Sequence, residues 1–150
     1  MKCKFEGIEI EAITTYLPPN IREMDSLIPI YGEKVVRQTV LGSGIQRLHV
    51  ANDDQTSLDM CYEAAEYLFE KDQIDRSKID GLVMISQSFD YLGPASSIIL
   101  QDKLHLSKET VCFDIIYGCS GYIYGVYQAA LMIASGSCKN VLLLMIPLFW

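Results

Sequence analysis

Cys119 is the residue of this sequence whose type and setting best fit covalent chemistry. It stands in the run from Ile115 to Gly121 (IIYGCSG), between an apolar stretch that predicts a strand and a segment that predicts a helix. We expect the helix to begin at about Cys119. Free N–H groups and the helix dipole would then favour the thiolate, lower the pKa of the thiol and offer hydrogen bonds to an oxyanion. The sequence thus predicts an acyl-accepting nucleophile, with a structural buried cysteine as the alternative.

The other four cysteines lack this setting. Cys112 falls inside a predicted strand, Cys61 inside a predicted helix, Cys138 in a turn and Cys3 at the chain start, so we interpret them as structural or incidental. The five cysteines form no CxxC pair and no metal-ligand spacing, which argues against a zinc site. A redox-sensing Cys119 is a further alternative, but no resolving cysteine is close in sequence.

The elements that must position Cys119 follow an α/β pattern. A first strand is predicted at 5–16, and short apolar runs predict strands covered on both faces at 81–86, 111–116 and 141–146. Helices are predicted from Thr56 or Ser57 to about 71, from Pro94 to about 104, and from about 119 to 134. One or two short helices and a loop around 42–44 are expected within 20–54. This order predicts helices packed on a mostly parallel sheet, with Cys119 at the carboxyl edge where such folds bind ligands.

Composition limits the function classes. The chain has 150 residues, of which 50% are hydrophobic and 21% charged, as expected for one folded domain. A net charge of −7 without a basic cluster argues against a nucleic-acid partner and against binding to a membrane surface. The start resembles no signal peptide, and the apolar stretch from Val141 to Trp150 is about half the length of a membrane span. Five cysteines, an odd number without a pairing pattern, fit free thiols in a reducing compartment, so we expect a cytoplasmic protein.

Several segments carry a family likeness in the right order. They are 44–51 (GIQRLHVA), 56–68 with Glu63-Ala64-Ala65, 79–83 (IDGLV), 113–115 (FDI) followed by 119–125 (CSGYIYG), and 135–142 (SGSCKNVL). Together they resemble β-ketoacyl-acyl-carrier-protein synthase III, a condensing enzyme of fatty-acid or polyketide synthesis. The resemblance implies a thiolase-like layered α/β fold. It covers the N-terminal half of the family, with a mostly parallel sheet that lacks its last strand.

The resemblance also implies a ping-pong condensation. Cys119 would take an acyl group from acyl-coenzyme A or an acyl-carrier protein, its backbone N–H serving as one oxyanion donor, and decarboxylated malonyl-carrier protein would attack the acyl enzyme. No cofactor is implied; acyl-carrier protein is the implied partner, and a homodimer the implied assembly. The loop from Gln87 to Pro94 would line the acyl pocket near the dimer interface through Phe89, Tyr91 and Leu92, with simple packing as an equal alternative.

The sequence departs from the family in two respects. The family's catalytic His and Asn lie in its second half, whereas this sequence stops at Trp150, so we interpret residues 1–150 as a truncated N-terminal half-domain. His49 and His105 are interpreted as a structural residue and a helix-end residue, not as substitutes. The Trp and Arg that hold the coenzyme A nucleotide are unmatched at 38–42, which leaves a carrier-protein donor open. The expected function is therefore a condensing acyltransferase that is incomplete in this chain. The alternative is a non-catalytic fragment that acts as a dimerisation or acyl- or partner-binding module.

Overall fold

The computed structural model describes residues 4–146, which form two compact units. The smaller unit, residues 17–55, contains β1 (Asn20–Glu23), α1 (Ile28–Tyr31), α2 (Glu33–Ser43) and β2 (Arg47–Val50). Strands β1 and β2 pair antiparallel. The expected one or two short helices are present as α1 and α2. The loop expected around 42–44 begins later, because α2 continues to Ser43 and Gly44 ends it with a left-handed φ of 73°. The strand pair was not predicted, because four-residue strands with exposed side chains leave little hydrophobic pattern.

The larger unit carries the predicted sheet. Its elements are α3 (Ser57–Lys71), β3 (Gly81–Ser86), α4 (Ser96–Lys103), β4 (Val111–Ile116), α5 (Gly121–Ala134) and β5 (Val141–Met145). The three strands are parallel in the order β4-β3-β5, with Gly81 level with both Val111 and Val141. The α/β architecture and the three later strands are confirmed.

The central strand, β3, is covered on both faces. All six of its residues are buried. Leu82 and Met84 join a core with residues of α3 and α4, whereas Val83 and Ile85 join a second core with Met132 of α5. Alternate side chains of a strand point to opposite faces, so the sheet lies between a layer of α3 and α4 and a layer of α5. This double covering explains why β3 is a continuous apolar run.

The start of α3 is set by its sequence. Thr56 Oγ1 accepts the Asp59 N–H at 3.2 Å, and the Asp59 carboxylate accepts the Thr56 N–H at 3.1 Å. These reciprocal bonds form a capping box, which satisfies two N–H groups that would otherwise lack a partner at the helix end. The predicted cap is confirmed. No helix in the described range 4–146 is long and apolar enough to cross a bilayer.

One predicted strand is absent, and the predicted start of one helix is wrong. Residues 5–16 contain no strand, although polar and apolar residues alternate there. Alternation shows that a segment tolerates an extended conformation, but a strand also needs a neighbouring backbone, and 5–16 pairs with none of the three strands. Helix α5 begins at Gly121 rather than at Cys119, because Gly118 to Ser120 form a turn before it.

Candidate functional site

Cys119 lies at the carboxyl edge of the sheet, as predicted. The parallel strands end together at Ser86, Ile116 and Met145, so the loops after β3 and β4 leave from the same edge. The Tyr117 N–H donates to the Ser86 carbonyl at 3.1 Å, which extends the pairing one residue beyond β4. Cys119 follows two residues later, and it is exposed.

Residues 117–121 form the turn that joins β4 to α5 and carries the predicted nucleophile, hence the nucleophile turn. The Gly121 N–H donates to the Gly118 carbonyl at 2.8 Å, and Ser120 occupies the N-cap position of α5. Cys119 therefore precedes the N-cap, and the positive end of the α5 dipole comes directly after it. A short turn of this kind presents the thiol at the surface beside the first turn of α5. The arrangement suits attack on an external thioester.

Two glycines let α5 approach β3 closely. A Cβ at Gly121 would lie 2.6 Å from Ile85 Cγ2, and one at Gly125 would overlap Ile85 Cδ1 and lie 2.8 Å from Leu143 Cδ1. Such distances are shorter than carbon atoms tolerate, so a larger residue at either position would push Ile85 or the helix out of place. The contacts set the distance between α5 and the sheet, and with it the position of the turn at the start of α5.

A pair of tyrosines spans the nucleophile turn. The rings of Tyr117 and Tyr124 stack with centroids 4.4 Å apart and an angle of 29° between their planes. A hydrogen bond with Tyr124 and the proximity of its phenol raise the pKa of Tyr117. The stack links the residue after β4 to the first turn of α5, so it braces both ends of the turn that carries Cys119.

Gln87 is a neighbour of the turn that sequence reasoning missed. A Cβ at Gly118 would lie 2.9 Å from Gln87 Oε1 and 3.4 Å from its Cδ. The carboxamide thus rests against the residue before Cys119. The sequence could have indicated Gln87, because it is the polar residue that directly follows a buried strand at the carboxyl edge of the sheet.

The three residues predicted to line an acyl pocket differ in their burial. Phe89 is partly buried and packs against the core formed by β3, α3 and α4. Tyr91 and Leu92 are exposed to solvent. Pocket lining by the three residues stays a prediction.

An aspartate on β4 holds the helix beside this edge. The Asp114 carboxylate accepts the Ser96 N–H at 2.6 Å and the Ser97 N–H at 2.8 Å, both from the first turn of α4. A carboxylate at this position satisfies unpaired N–H groups and matches the helix dipole. Asp114 thereby orders α4, which follows the 87–94 loop.

The other cysteines of the described range are poor nucleophiles. Burial, with a smaller contribution from the Asp90 charge, raises the pKa of Cys61 to about 12. Burial and the Asp114 charge raise the pKa of Cys112 to about 11, and burial raises that of Cys138 as well. Raised pKa values keep these thiols protonated near neutral pH. Cys3 lies outside the described residues.

The histidines take up structural positions. His49 Nδ1 lies 2.7 Å from the Pro18 carbonyl within the smaller unit. His105 follows the end of α4 with a left-handed φ of 54°, and its N–H donates to the Asp102 carbonyl. Within residues 4–146, no three His, Cys, Asp or Glu side chains come together as a metal site.

Comparisons with known proteins agree on one family. The family model for 3-oxoacyl-[acyl-carrier-protein (ACP)] synthase III matches residues 113–145, which include the nucleophile turn. A β-ketoacyl-[acyl-carrier-protein] synthase III from Acholeplasma laidlawii is 36% identical over 141 residues, covering 91% of this chain and 44% of the relative. Its counterpart from Vibrio parahaemolyticus is 32% identical over 133 residues, covering 87% of this chain and 40% of the relative.

Solved structures give the same result. A 3-oxoacyl-(acyl-carrier-protein) synthase III structure superimposes with a TM-score of 0.85 at 30% identity, covering 91% of this chain and 40% of the other. Cerulenin-bound OleA from Xanthomonas campestris gives a TM-score of 0.80 at 26% identity, with coverages of 93% and 42%. The thiolase-like fold is confirmed. The chain spans about 40% of the length of the curated relatives that it matches.

Proposed function

The chain is related to the N-terminal portion of the β-ketoacyl-acyl-carrier-protein synthase III family, and from this relationship we propose that it takes part in acyl-thioester condensation through Cys119. The supporting observation is the exposed cysteine in the turn between β4 and α5, inside the segment matched by the family model. The other three cysteines of the described range are at least partly covered and have raised pKa values.

The proposed chemistry has two half-reactions. In the first, the Cys119 thiolate attacks the carbonyl carbon of an acyl thioester, and the coenzyme A or carrier-protein thiol leaves with a proton. The Cys119 N–H donates to the oxyanion of the tetrahedral intermediate. In the second, malonyl-carrier protein loses CO₂, its carbanion attacks the acyl-Cys119 carbonyl, and the cysteine thiolate is released. The second half-reaction requires the His and Asn that the family resemblance assigns to its C-terminal half.

We further propose that two copies of the chain associate through the β4 side of the sheet. Strand β4 has a sheet neighbour on one side, β3, in the described range. Val111, Phe113 and Ile116 on this strand are 37%, 44% and 74% exposed. An unpaired strand edge with exposed large apolar side chains favours pairing with another chain. Sedimentation equilibrium at several protein concentrations tests this association, and Phe113→Lys should shift the chain toward monomer.

The covalent half-reaction is tested by intact mass spectrometry. The chain is incubated with acyl-coenzyme A or acyl-carrier protein, and Cys119→Ser serves as the matched control. We expect one acyl adduct on the original chain, located at Cys119 by peptide mapping, and none at this position in Cys119→Ser. Addition of malonyl-carrier protein then reports whether a β-ketoacyl product forms. An original chain that carries no adduct would refute the enzymatic proposal.

The second candidate is a non-catalytic module that binds a partner chain or acyl groups. The exposed apolar surface near the turn favours it, since Ile116 is 74% and Ile123 is 67% exposed. Surface of this kind is typical of a protein contact site. Concentration-dependent association without any adduct on Cys119 would support this candidate over the first.

A further inference from the structure

Tyr117 and Tyr124 hold their rings in contact at the protein surface. The ring centroids are 4.4 Å apart with an angle of 29° between the planes, and the two phenol groups share a hydrogen bond. A stack whose phenol ends also meet brings together the ring carbons next to the two oxygens. Tyr117 is 41% and Tyr124 is 49% exposed, so an oxidant in solution can reach both rings.

The surrounding backbone keeps this pair in place. The Tyr117 N–H donates to the Ser86 carbonyl at 3.1 Å, which fixes Tyr117 to the end of β3. A Cβ at Gly121 would lie 3.0 Å from Tyr117 Cβ, so Tyr117 also packs against the start of α5. Tyr124 lies about one turn further along the same helix. The contact is therefore set by the packing of α5 beside the sheet rather than by two freely moving side chains.

Other exposed tyrosines of the chain lack such a partner. Four of them are comparably accessible to solvent, namely Tyr31, Tyr67, Tyr91 and Tyr122. Within residues 4–146, none of these four has the ring of another tyrosine in contact with its own. An oxidised ring at one of these positions would have to meet a second chain before it could couple. The stacked pair can couple within one chain.

We propose that Tyr117 and Tyr124 form an intramolecular modification site, at which a one-electron oxidant of the haem peroxidase class joins the two rings as dityrosine. The oxidant takes one electron from each phenol, and each phenol O–H releases its proton. The two phenoxyl radicals join through a carbon–carbon bond next to the oxygens, and the hydrogens of those two carbons move to the oxygens. The chain loses two hydrogen atoms, and hydrogen peroxide is reduced to two molecules of water.

The cross-link would enclose the predicted nucleophile. Tyr117 comes directly after β4 and Tyr124 lies in the first turn of α5, so Cys119 stands between them in the chain. A covalent bond between the two rings would close a short loop that contains the nucleophile turn. The modification needs two phenol rings and no thioester, so this inference does not depend on the proposed acylation of Cys119.

The experiment oxidises the dilute chain with a haem peroxidase and hydrogen peroxide. Exposed thiols are first blocked with iodoacetamide, because a free thiol reduces phenoxyl radicals. We expect monomeric chain that has lost two hydrogen atoms by intact mass, with dityrosine fluorescence, and tandem mass spectrometry should place the link between Tyr117 and Tyr124. Tyr124→Phe keeps an aromatic ring without the phenol oxygen and should abolish this product. Tyr122→Phe, an exposed neighbour outside the pair, is the matched control and should leave the yield unchanged.

Thermal midpoints show whether each variant keeps its fold, and Tyr117→Phe provides a second removal of one phenol from the pair. Loss of the product in a folded Tyr124→Phe or Tyr117→Phe, with the product retained in Tyr122→Phe, supports the proposal. An original chain that gives dityrosine only between chains would overturn it, provided that the peroxidase couples free tyrosine under the same conditions. The proposal is equally wrong if folded Tyr124→Phe yields as much intramolecular dityrosine as the original chain.

Discussion

Substitution of Gly125 by alanine tests how α5 is positioned against the sheet. The new methyl group would overlap Ile85 Cδ1 and lie 2.8 Å from Leu143 Cδ1. Ile85 is fully buried, so its side chain has no open space into which it can move. The helix must therefore shift away from the strand, or Ile85 must leave its preferred rotamer.

The expected cost follows from these contacts. Overpacking of a well-packed core costs about 1–3 kcal/mol. Alanine in a helix interior recovers about 0.5–1 kcal/mol relative to glycine. A methyl group that overlaps one carbon atom and crowds a second calls for the upper part of the first range, about 2–3 kcal/mol. The net loss in the free energy of unfolding is then about 1–2.5 kcal/mol, which lowers the thermal midpoint by about 2–10 °C in a chain of this length.

The assay is urea unfolding followed by circular dichroism, with thermal midpoints as a second measure. Gly42→Ala is the matched control, because Gly42 lies in α2 and nothing is within 4 Å of the position of its Cβ. That control should leave stability unchanged or raise it. Ile85→Val removes the Cδ1 atom that collides. The double variant should therefore lose less unfolding free energy than the sum of the two single-variant losses, by about 0.5 kcal/mol or more. A Gly125→Ala chain as stable as the original would refute the close approach of α5 to β3.

Two further perturbations address the surroundings of Cys119. In the same urea titration, Asp114→Ala should lower the free energy of unfolding by about 1.5–3 kcal/mol, since two N–H groups at the start of α4 lose a charged acceptor. Asp114→Asn, which keeps one acceptor oxygen, should recover part of this loss. Native-state labelling with iodoacetamide at about pH 8.5, read by peptide mass spectrometry, should modify Cys119 before Cys61 or Cys112, whose pKa values burial raises to about 12 and about 11. Equal labelling of Cys61 and Cys119 would contradict this. Raised folded-state pKa values also mean that the stability due to the buried Cys61 thiol and the partly buried Cys112 thiol is present below their ordinary pKa of 9.0. It is lost as the pH rises from there toward about 12 for Cys61 and about 11 for Cys112. A free energy of unfolding that does not fall over that interval would contradict the linkage.

Local chemistry was sufficient to predict the elements around the site. The capping box at Thr56 marks the start of α3, and the apolar runs of β3 and β4 are bounded in the structure at the predicted residues. The turn at Cys119 was predictable because it lies between a strand pattern and a helix pattern only a few residues apart. These features depend on neighbours in sequence, so periodicity and capping residues carry them.

Other features depend on contacts distant in sequence. Residues 5–16 alternate like a strand but pair with none of the sheet strands, and the short pair β1–β2 forms where the pattern is weak. Phe89 packs against the core of β3, α3 and α4, a contact that its sequence position does not reveal. Strand pairing and burial are decided by which backbone and side chains approach from elsewhere in the chain, and no local pattern records that.

The nucleophile turn depends both on the local sequence and on the tertiary structure. Residue types and spacing alone determined that a cysteine stands between β4 and α5, at the carboxyl edge of a parallel sheet. Only the tertiary structure decided that α5 begins two residues later, that Tyr117 stacks on Tyr124, and that the Gln87 carboxamide lies against Gly118. The physical reason is that element order follows from local hydrophobic periodicity, whereas the neighbours of a thiol are set when separate strands and helices pack at distances of a few ångströms.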